Sequence, residues 1–598
     1  MCGIHLIVQK NKDLVVGQGA ILRMVESLRH RGPDGLAWKH LDWGEEQIWL
    51  GHNLLAISDS KENATQPMLD SSGDCGIIFN GQIYNHLELR ALLTERQIAF
   101  TGQSDTETLL YWIKTFGRKG LPRLKGMFAF IFWDSTKQLL IIHRDSYGIK
   151  PLYYSRNRNY LAFSSEPAGL FASDLFHYSI DNQAICQYLK YKFITGNRSP
   201  WREIKLIHPG EIIEYWENKP LHFKISDETE SVLGSNLKEA LFSGFQEVIP
   251  KNMPVGLMFS GGIDSSLILK HCLDNKIDLT VFSIRISFGS KEDRADQEAV
   301  EYLSKLAGIH IEWIDITKAD VQEMLLFAQK QSPLVADGAW FLSSKIAERA
   351  KQLGIKVLLS GAGADEWFAG YRRHWFLALW LRCQTLIPGS SLRNLAAKIG
   401  LIVVSKTADR TNQLQNIWDI AISSRLTSVL ENVNPSTKRD SANVESIDDA
   451  LSWDQKEYLV QDVLAITDMA TMAHGIEGRF PFLHPTITAF ASQFSGQERL
   501  KNGRKWMLKS LLEPFTGLKF VNRRKRGFGI PIHSILDSDE GREFISTCFS
   551  DPLMNAYFES EKWEKAKHNI ISNPSKWSQE ILSICWLRNW LKVNKSQD

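Results

Sequence analysis

The residues from Val255 to Ser266 read VGLMFSGGIDSS, and this stretch decides the fold of the larger part of the chain. An apolar run typical of a buried strand leads directly into Ser-Gly-Gly-x-Asp-Ser, and a helical pattern follows. Glycines let a backbone approach a phosphate, and the helix behind them offers free N–H groups and its positive dipole end. The Lys of a Walker A loop is missing, which argues against a kinase or GTPase loop. The stretch predicts another type of phosphate site; the alternative is a plain glycine-rich turn.

Around this motif, short apolar runs alternate with longer helical patterns. TVFSIRI at 280–286 and IKVLLSG at 355–361 are two such runs. The alternation favours a parallel sheet covered by helices. Nearer the start of the chain, β-branched and aromatic runs such as GIHLIVQK at 3–10 outnumber the helical stretches. Many strands and few helices indicate a layered, β-rich domain. We therefore predict two domains, 2–220 and 221–598.

The composition excludes several classes of protein. The 598 residues are 43% hydrophobic, 23% charged and 11% aromatic, which excludes disordered and collagen-like chains. The formal net charge is +2, so no global attraction to nucleic acid is expected. Seven Cys are too few for a disulfide framework and favour a reducing compartment. No run reaches the ~18 apolar residues of a spanning helix, and MCGIHLIVQK lacks the pattern of a signal peptide. We expect a cytoplasmic protein with neither nucleic acid nor membrane as a partner.

Cys2 is a candidate nucleophile. A small second residue allows removal of Met1, which makes this Cys the first residue. Its thiol then lies beside its own α-amine, a general base with a pKa of about 8. The amine can take the thiol proton, so no distant His is needed to form the thiolate. The alternative is a buried strand Cys that happens to lie early in the chain.

Four further motifs follow Cys2 in a recognisable order. They are RHRGPDG at 29–35, FNGQIYN at 79–85, SDTE at 104–107 and RDSYGIKPLYY at 144–154. With MCGI at the start, this order resembles the glutaminase domain of class II glutamine amidotransferases, which are N-terminal nucleophile hydrolases. Among these enzymes, the chain resembles the asparagine synthetase branch most.

The resemblance implies roles for four residues. Cys2 would attack the side-chain amide of glutamine, and Asn80 with the Gly81 amide would form the oxyanion hole. Such donors contribute roughly 3 kcal/mol each. Asp105 would hold the glutamine α-amine. Without the resemblance, Asn-Gly would read as a hairpin turn, and Asp105 as a first-turn acid of a helix over 105–116.

That helix has its own start signal. Ser104 is the predicted N-cap, and Glu107 would complete a capping box.

Two positions depart from the family pattern in this first domain. Leu54 stands where relatives have an Arg that pairs with the glutamine α-carboxylate, and Leu cannot form a bidentate pair. Gln82 stands in place of a carboxylate.

In the second domain the motif at 255–266 matches the PP-loop of N-type ATP pyrophosphatases, which cleave ATP between the α- and β-phosphates. A second motif, LLSGAGADEWFAGYRRH at 358–374, resembles the pyrophosphate- and Mg²⁺-binding segment of asparagine synthetases. The resemblance implies an ATP site made of Phe259, Ser260, Gly261, Gly262, Asp264, Ser265, Ile284, Ser360 and Gly361. Asp264 and Asp365 would bind Mg²⁺ through hard oxygens, with Glu366 beside them. The alternative for the acids is a helix start favoured by the dipole.

Two more segments complete the resemblance. HGIEGRFPFLHP at 474–485 contains Glu477, an acid expected to be buried and catalytic, or else part of a structural ion pair with Arg479. RRKRGFGIP at 523–531 contains Lys525, placed where relatives hold a cation over the α-phosphate. A basic run alone would indicate a solvated face.

Two departures fall here as well. Ala362 replaces an acid that relatives associate with forming the acyl-adenylate, and His484 replaces the Asp that ends the corresponding motif.

The resemblance covers nearly the whole chain. It implies an αββα glutaminase domain, a PP-loop α/β synthetase domain and an internal tunnel for ammonia. The expected reaction converts aspartate, glutamine and ATP to asparagine, glutamate, AMP and pyrophosphate, with Mg²⁺, in a possible homodimer. The alternatives are another carboxylate acceptor, such as a sugar uronate or a secondary-metabolite acid, and an ammonia-dependent adenylating ligase with an impaired glutaminase domain.

Overall fold

The computed structural model describes most of the chain in two domains. The described residues are 2–12, 17–57, 64–216, 219–224, 236–288, 295–327, 331–386, 413–430, 444–523, 530 and 532–594.

Two six-stranded antiparallel sheets form the first domain. In spatial order the first sheet contains β10 (Lys205–Leu206), β8 (Tyr153–Arg156), β9 (Tyr160–Ser164), β1 (Gly3–Gln9), β3 (Glu46–Leu54) and β2 (Gly35–Trp43). The second contains β12 (Lys219–Lys224), β11 (Glu211–Trp216), β7 (Leu139–Arg144), β6 (Gly126–Asp134), β5 (Cys75–Ile83) and β4 (Met68–Leu69).

Helices cover the outer face of each sheet. The first sheet packs against α1 (Gly17–Ser27) and α4 (Pro167–Ser173), and the second against α2 (His86–Glu95) and α3 (Asp105–Phe116). The two inner faces meet in one apolar core. The predicted αββα architecture is confirmed.

Strand β1 shows why this domain has apolar runs rather than alternating patterns. Every residue of Gly3–Gln9 is buried. Ile4 and Leu6 face the core between the sheets, whereas Ile7 faces α1. A strand covered on both sides must be apolar on both sides.

The second domain is built on a five-stranded parallel sheet. Its spatial order is β15 (Ile311–Ile316), β14 (Leu279–Ile286), β13 (Val255–Met258), β16 (Val357–Leu359) and β17 (Glu477–Arg479). Every neighbouring pair is parallel, as the alternating sequence pattern predicts.

The remaining helices cover this sheet or extend from it, except α5, which comes before the sheet in the chain and packs in an apolar cluster with Tyr153 of β8 and Ala162 of β9. In chain order they are α5 (Asn182–Tyr191), α6 (Leu237–Val248), α7 (Ile263–Asp274), α8 (Ala295–Ala307), α9 (Lys318–Leu326), α10 (Ala339–Gln352), α11 (Ala364–Trp367), α12 (Arg372–Leu386), α13 (Gln413–Ile422), α14 (Ile447–Trp453), α15 (Ala465–Met472), α16 (Pro485–Ser492), α17 (Gly496–Arg499), α18 (Trp506–Thr516), α19 (Leu518–Val521), α20 (His533–Leu536), α21 (Asp539–Phe549), α22 (Ser560–Ser572) and α23 (Ser578–Asn594). A π-helical segment, Asp454–Leu464, joins α14 to α15. Short 3₁₀-helical segments occur at Gly117–Arg123, Arg425–Ser428, Pro481–Leu483, Pro552–Met554 and Pro574–Trp577.

Strand order determines where a ligand can bind. From β13 the chain winds outward through β14 and β15, and it then returns to β16 on the other side. In such sheets the ligand crevice lies beyond the carboxyl ends of the strands where the winding direction reverses. The loops after β13 and β16 carry the two predicted nucleotide motifs to this point.

The helix predicted at 105–116 is confirmed, with Ser104 as its N-cap accepting from Glu107 N. The predicted capping box is only half formed. The Glu107 carboxylate accepts instead from Thr101 N at 2.7 Å and Gly102 N at 3.0 Å, because the preceding loop folds back over it.

The boundary expected at 220/221 remains a prediction; β12 (Lys219–Lys224) pairs with β11 in the second sheet. Among the described residues, no helix is long and apolar enough to cross a membrane.

Candidate active sites

Cys2 comes directly before β1, next to β5. Its backbone N–H donates to Asn80 Oδ1 at 2.9 Å. The Nδ2 group of Asn80 is buried and has no hydrogen-bond partner among the residues that the structure describes. Because a buried polar group without a partner is costly, this donor indicates a site for an acceptor atom beside Cys2.

Gly81 follows Asn80 within β5 and allows a close approach of β6. A Cβ atom at this position would lie 2.1 Å from the carbonyl oxygen of Met127. The hairpin interpretation of Asn-Gly is wrong, since both residues lie inside the strand Cys75–Ile83 and pair with β6.

The thiol of Cys2 is buried. Burial raises its pKa, while the terminal ammonium of the chain and a hydrogen bond with the Leu55 backbone lower it. The nearby carboxylates of Glu477 and Asp105 raise it further. A base close to the sulfur is therefore needed to form the thiolate.

Asp105 lies at the start of α3 and is almost completely buried. Its Oδ2 atom accepts from Ile83 N at 2.9 Å. Burial and the charge of Glu477 raise the pKa of Asp105 to about 6, against the hydrogen bonds it accepts and Arg479. A cationic group bound beside it would favour the ionised form.

A residue of the second domain reaches this first site. Glu477 accepts from Arg479 Nε at 2.6 Å, and Arg479 Nη2 donates to Gln82 Oε1 at 3.1 Å. Burial opposes ionisation of Glu477, yet Arg479, the terminal ammonium and Lys150 lower its pKa to about 2. Glu477 thus lies between the two domains, close to Cys2, and Gln82 faces Arg479 across the same boundary.

A second guanidinium crosses the boundary in the opposite direction. Arg31 is fully buried and donates to Cys2 O at 3.3 Å. It also forms ion pairs with Glu166 at 2.7 Å and with Asp468 at 2.9 Å. Asp468 belongs to α15 of the second domain, so the main chain at Cys2 is tied to that helix.

Leu54 ends β3, pairs in register with Gly35 of β2 and is 5% exposed. The departure from the family pattern therefore places hydrocarbon at a buried position where relatives present a cation.

The second candidate site occupies the crevice beyond β13 and β16. Gly261 has a positive φ of 65°, and Gly262 is the N-cap of α7, so the backbone turns sharply ahead of the helix. Ser260 Oγ accepts from Gly262 N at 3.4 Å and lies 3.5 Å from Ser265 Oγ. The helix N-terminus and its free N–H groups thus face the crevice.

Ser360 and Gly361 come directly after β16 and touch the start of α7. A Cβ atom on Gly361 would lie 2.9 Å from Asp264 Cβ. Ser360 Oγ accepts from Ala362 N at 3.3 Å, and Ser360 N donates to Arg479 O at 2.9 Å. The two predicted nucleotide motifs therefore meet.

Lys505 lies at the centre of this crevice, and the sequence analysis missed it. Its Nζ atom contacts Asp264 Oδ2 at 2.6 Å and Asp365 Oδ1 at 2.7 Å. It has a positive φ of 53° just before α18, a backbone conformation that is strained for Lys. Its segment RKWMLK at 504–509 matches the distal signature of the family that the chain resembles, but the sequence gives this Lys no role of its own, and only the fold brings it to residues far away in the sequence.

Asp264 is buried, and its Oδ1 atom has no hydrogen-bond partner within the described ranges. With Asp365 it offers hard oxygens, so the pair fits a divalent cation that also binds phosphates. Glu366, expected beside them, turns away and accepts from Tyr371 Oη at 2.6 Å.

Three other residues were predicted for the synthetase site, namely Phe259, Ile284 and Lys525. The side chain of Phe259 is fully buried in the core, so only its main chain can face a nucleotide. Ile284 is half-buried and packs against the core. Lys525 lies outside the described residues. Arg523 from the same basic run donates to Gly261 O at 2.5 Å and pairs with Asp296 at 2.9 Å.

The two remaining departures lie at the domain boundary. Ala362 packs against an apolar cluster drawn from both domains, which we call the boundary cluster: Tyr84, Met127, Ile149, Val248, Leu459, Leu464, Phe480 and Leu483. His484 is fully buried, and its Nε2 atom lies 3.1 Å from Glu247 Oε2.

A nucleophile site of the N-terminal type and a PP-loop crevice in one chain define a glutamine-hydrolysing ligase with a glutaminase domain and a synthetase domain. A family model described as a glutamine amidotransferase domain matches residues 1–227, and one described as asparagine synthase matches residues 242–592. The chain belongs to the asparagine synthase family.

Two curated relatives are similar to the chain, one over nearly its whole length and one over part of it. The chain is 27% identical to the asparagine synthetase [glutamine-hydrolyzing] 1 of Bacillus subtilis, over 99% of this chain and 97% of that protein. It is also 27% identical to the amidase chry2 of Gibberella zeae, over 62% of this chain and 59% of that protein. A solved glutamine PRPP amidotransferase from B. subtilis has 14% identity and a TM-score of 0.29, over 60% of this chain and 81% of that chain.

The first prediction concerns Asp105, whose carboxylate form is the one that can hold an ammonium group. Because its pKa is raised to about 6, glutamine hydrolysis should lose efficiency as the pH falls below that value. We expect kcat/KM for glutamine to fall by about tenfold per pH unit there, since this ratio reports the free enzyme.

Asp105→Asn should lower kcat/KM and remove this step from the profile. Glu95→Gln, on the exposed end of α2, is the control and should leave it. A step that persists unchanged in Asp105→Asn would contradict the role.

Proposed function

We propose that this protein is a glutamine-dependent, ATP-consuming amidotransferase that forms an amide through an acyl-adenylate. The observation that supports it most is the boundary cluster between the two sites. Tyr84, Met127 and Ile149 from the first domain pack there against Leu483 and Ala362 from the second. An apolar boundary of this kind favours transfer of neutral ammonia over ammonium.

The glutaminase half would begin at Cys2 once Met1 is removed. The α-amine takes the thiol proton, and the thiolate attacks the side-chain amide carbon of glutamine. Asn80 Nδ2 and the Gly81 N–H would donate to the oxyanion. The amide nitrogen takes this proton back from the α-ammonium as the C–N bond breaks, so neutral ammonia leaves, and water then hydrolyses the thioester to glutamate and the free thiol.

The synthetase half would lie in the crevice beyond β13 and β16, which we call the adenylation site. The acceptor carboxylate attacks the α-phosphorus of ATP, and pyrophosphate leaves. Lys505 would neutralise charge on the phosphates, with the N–H groups of the PP-loop beside it. Mg²⁺, held by Asp264 and Asp365, would supply Lewis-acid neutralisation of the phosphate oxygens. Ammonia then attacks the acyl carbon and displaces AMP.

Aspartate is the proposed acceptor, because the full-length relative is named an asparagine synthetase. Ala362 and His484 support a second candidate, another carboxylate such as a uronate or a secondary-metabolite acid. At position 362 a methyl group can neither carry charge nor move a proton.

The buried Leu54 supports a further candidate, an adenylating ligase that uses free ammonia. A homodimer, a cytoplasmic location and the position of Lys525 over the α-phosphate remain predictions from the sequence.

The experiment that tests the proposed reaction supplies ATP, Mg²⁺, glutamine and a set of acids and measures the nucleotide products. We expect AMP and pyrophosphate, with one acid converted to its amide. ADP and phosphate would overturn the assignment of the PP-loop.

Lys505→Met should lower the rate of AMP formation by about 100-fold or more, since it removes the cation between Asp264 and Asp365. Lys501→Met, on an exposed neighbour, is the control and should keep the rate. Glutamine hydrolysis without ATP should survive both changes. Normal AMP formation by Lys505→Met would show that Lys505 does not act on ATP.

Cys2→Ala should abolish synthesis from glutamine and leave synthesis from ammonia, because the thiol acts only in releasing ammonia. Cys75→Ala, a buried thiol on β5, should retain both activities. Equal loss with both nitrogen sources in Cys2→Ala would contradict this division of labour.

Leu54 should weaken glutamine binding. A charge-assisted pair contributes on the order of 2 kcal/mol, so its absence corresponds to roughly thirtyfold weaker binding. We expect a high KM for glutamine and a lower one in Leu54→Arg, with the KM for ammonia unchanged. Tight glutamine binding by the unmodified protein would refute this expectation.

A further inference from the structure

Two buried thiols meet among the last helices of the chain. Cys548 lies near the C-terminal end of α21 and Cys585 lies in the middle of α23, and neither side chain is exposed. The S–H group of Cys585 donates a hydrogen bond to the sulfur of Cys548. The two sulfur atoms are therefore in direct contact, although α22 lies between these residues in the sequence.

A cluster of charges accompanies the two thiols. Arg588 Nε and Lys592 Nζ pair with Asp551 Oδ2 at 2.9 and 3.1 Å. Arg588 follows Cys585 by about one turn of α23, and Asp551 comes shortly after Cys548, so the ion pairs join the same two segments as the thiols. Because the side chain of Lys592 is 47% exposed, the cluster extends from the thiols to the protein surface.

These groups make Cys548 the more reactive of the two thiols. The hydrogen bond from Cys585 lowers the pKa of Cys548, and Arg588 and Lys592 lower it further against burial and Asp551. The same hydrogen bond and burial raise the pKa of Cys585 well above its ordinary value. Since the thiolate is the nucleophilic form, Cys548 is the attacking thiol, and Cys585 is a protonated thiol held against it.

Other buried thiols of the chain have a different environment. Cys272 in α7 is also fully buried, and burial raises the pKa of its thiol to about 12. Burial likewise raises the pKa of Cys75 in β5 to about 11. Thiols of this kind are inert towards oxidants, so Cys548 and Cys585 differ from them in chemistry rather than in burial.

We propose that Cys548 and Cys585 form a modification site, at which hydrogen peroxide oxidises the two thiols to a reversible disulfide. This inference is independent of the proposed function. It agrees with a reducing compartment, where disulfides form transiently and report on oxidants.

The reaction proceeds in two displacements. The Cys548 thiolate attacks one oxygen of the peroxide, the O–O bond breaks, and the departing hydroxide takes the proton that the thiol has lost, which gives water and a sulfenic acid. The sulfur of Cys585 then attacks the sulfur of Cys548, and the hydroxyl group leaves as water with the Cys585 proton. The two thiols lose two electrons, which reduce the peroxide to water, and a dithiol reductant restores both thiols.

The bond would fasten a helix that contacts several parts of the protein. On α23, Ser583 O accepts from Tyr188 Oη of α5 at 2.8 Å, and Trp586 Nε1 donates to Met324 O of α9 at 2.7 Å. Because the sulfur atoms are covered and Thr547 beside them is exposed, a small peroxide suits the site better than a bulky disulfide.

Peptide mass spectrometry of the full chain tests the proposal. The reduced protein is treated with hydrogen peroxide and unfolded, its free thiols are blocked with N-ethylmaleimide, and the digest is analysed with and without dithiothreitol. We expect the peptides of Cys548 and Cys585 to be joined by a bond that dithiothreitol cleaves, while Cys272 carries the blocking group. Oxidised glutathione at the same concentration should form this bond about tenfold more slowly or less.

Cysteine variants separate the two roles. In Cys585→Ser the oxidation of Cys548 should stop at the sulfenic acid, which dimedone traps, whereas in Cys548→Ser the Cys585 thiol should stay reduced. Cys186→Ser, at a half-buried thiol of α5, is the control and should form the bond at the unmodified rate.

A charge variant tests the activation of Cys548. Lys592→Gln should slow formation of the bond by about threefold near neutral pH, because it removes a cation that favours the thiolate. Lys565→Gln, at an exposed position of α22, should leave the rate unchanged.

The proposal is overturned if the two peptides stay separate at peroxide concentrations that leave Cys272 reduced, or if Cys548 forms its bond with Cys186 instead. It is also overturned if Cys585→Ser yields no sulfenic acid. An unchanged rate in Lys592→Gln would refute the activation by the cation. The measurement involves neither ATP nor glutamine, so its outcome is separate from that of the proposed reaction.

Discussion

The buried guanidinium of Arg31 is the interaction on which the joint arrangement of the two domains depends. Its side chain has no exposure, and it binds the carbonyl of Cys2 as well as Glu166 and Asp468. Replacing Arg31 would take this buried cation away from both Glu166 and Asp468, the kind of change that costs about 3–5 kcal/mol. Burial alone would lower its pKa, yet the two acids outweigh it and raise the pKa.

Arg479 plays the reciprocal part from the second domain. It reaches Gln82 in the first domain while it holds Glu477 and the carbonyl of Val248. Each domain thus contributes one arginine that donates hydrogen bonds to a residue of the other domain. Polar contacts of this geometry fix the position of one domain relative to the other. The boundary cluster supplies the apolar area that is buried between them.

Much of the fold could be predicted from the sequence, because the decisive signals are local. The strand, glycine turn and helix at 255–266 are continuous in the chain, and so is the N-cap Ser104. The helix at 105–116 has the predicted ends. The role of Asn80-Gly81 was ambiguous, because the local sequence is a strong signal for a hairpin turn. Only the pairing of β5 with β6 shows that both residues lie inside a strand.

The sites were less predictable where residues distant in sequence converge. Lys505 reaches Asp264 from 241 positions away, so no spacing rule could place it. Glu477 was expected to be buried and catalytic, yet nothing local indicates that it lies near Cys2. Glu366 follows Asp365 directly, but a helical turn directs neighbouring side chains apart, so one faces Lys505 and the other Tyr371.

One helix borders both candidate sites. From Ile447 through the π-helical segment to Met472 the backbone is helical without interruption. Its π-helical part carries Gln455, whose Nε2 donates to Glu366 O at 3.2 Å, next to Asp365 of the adenylation site. Its last part carries Asp468, the partner of Arg31, which donates to the carbonyl of Cys2. The two centres, distant in the sequence, therefore share one continuous piece of backbone as a common support.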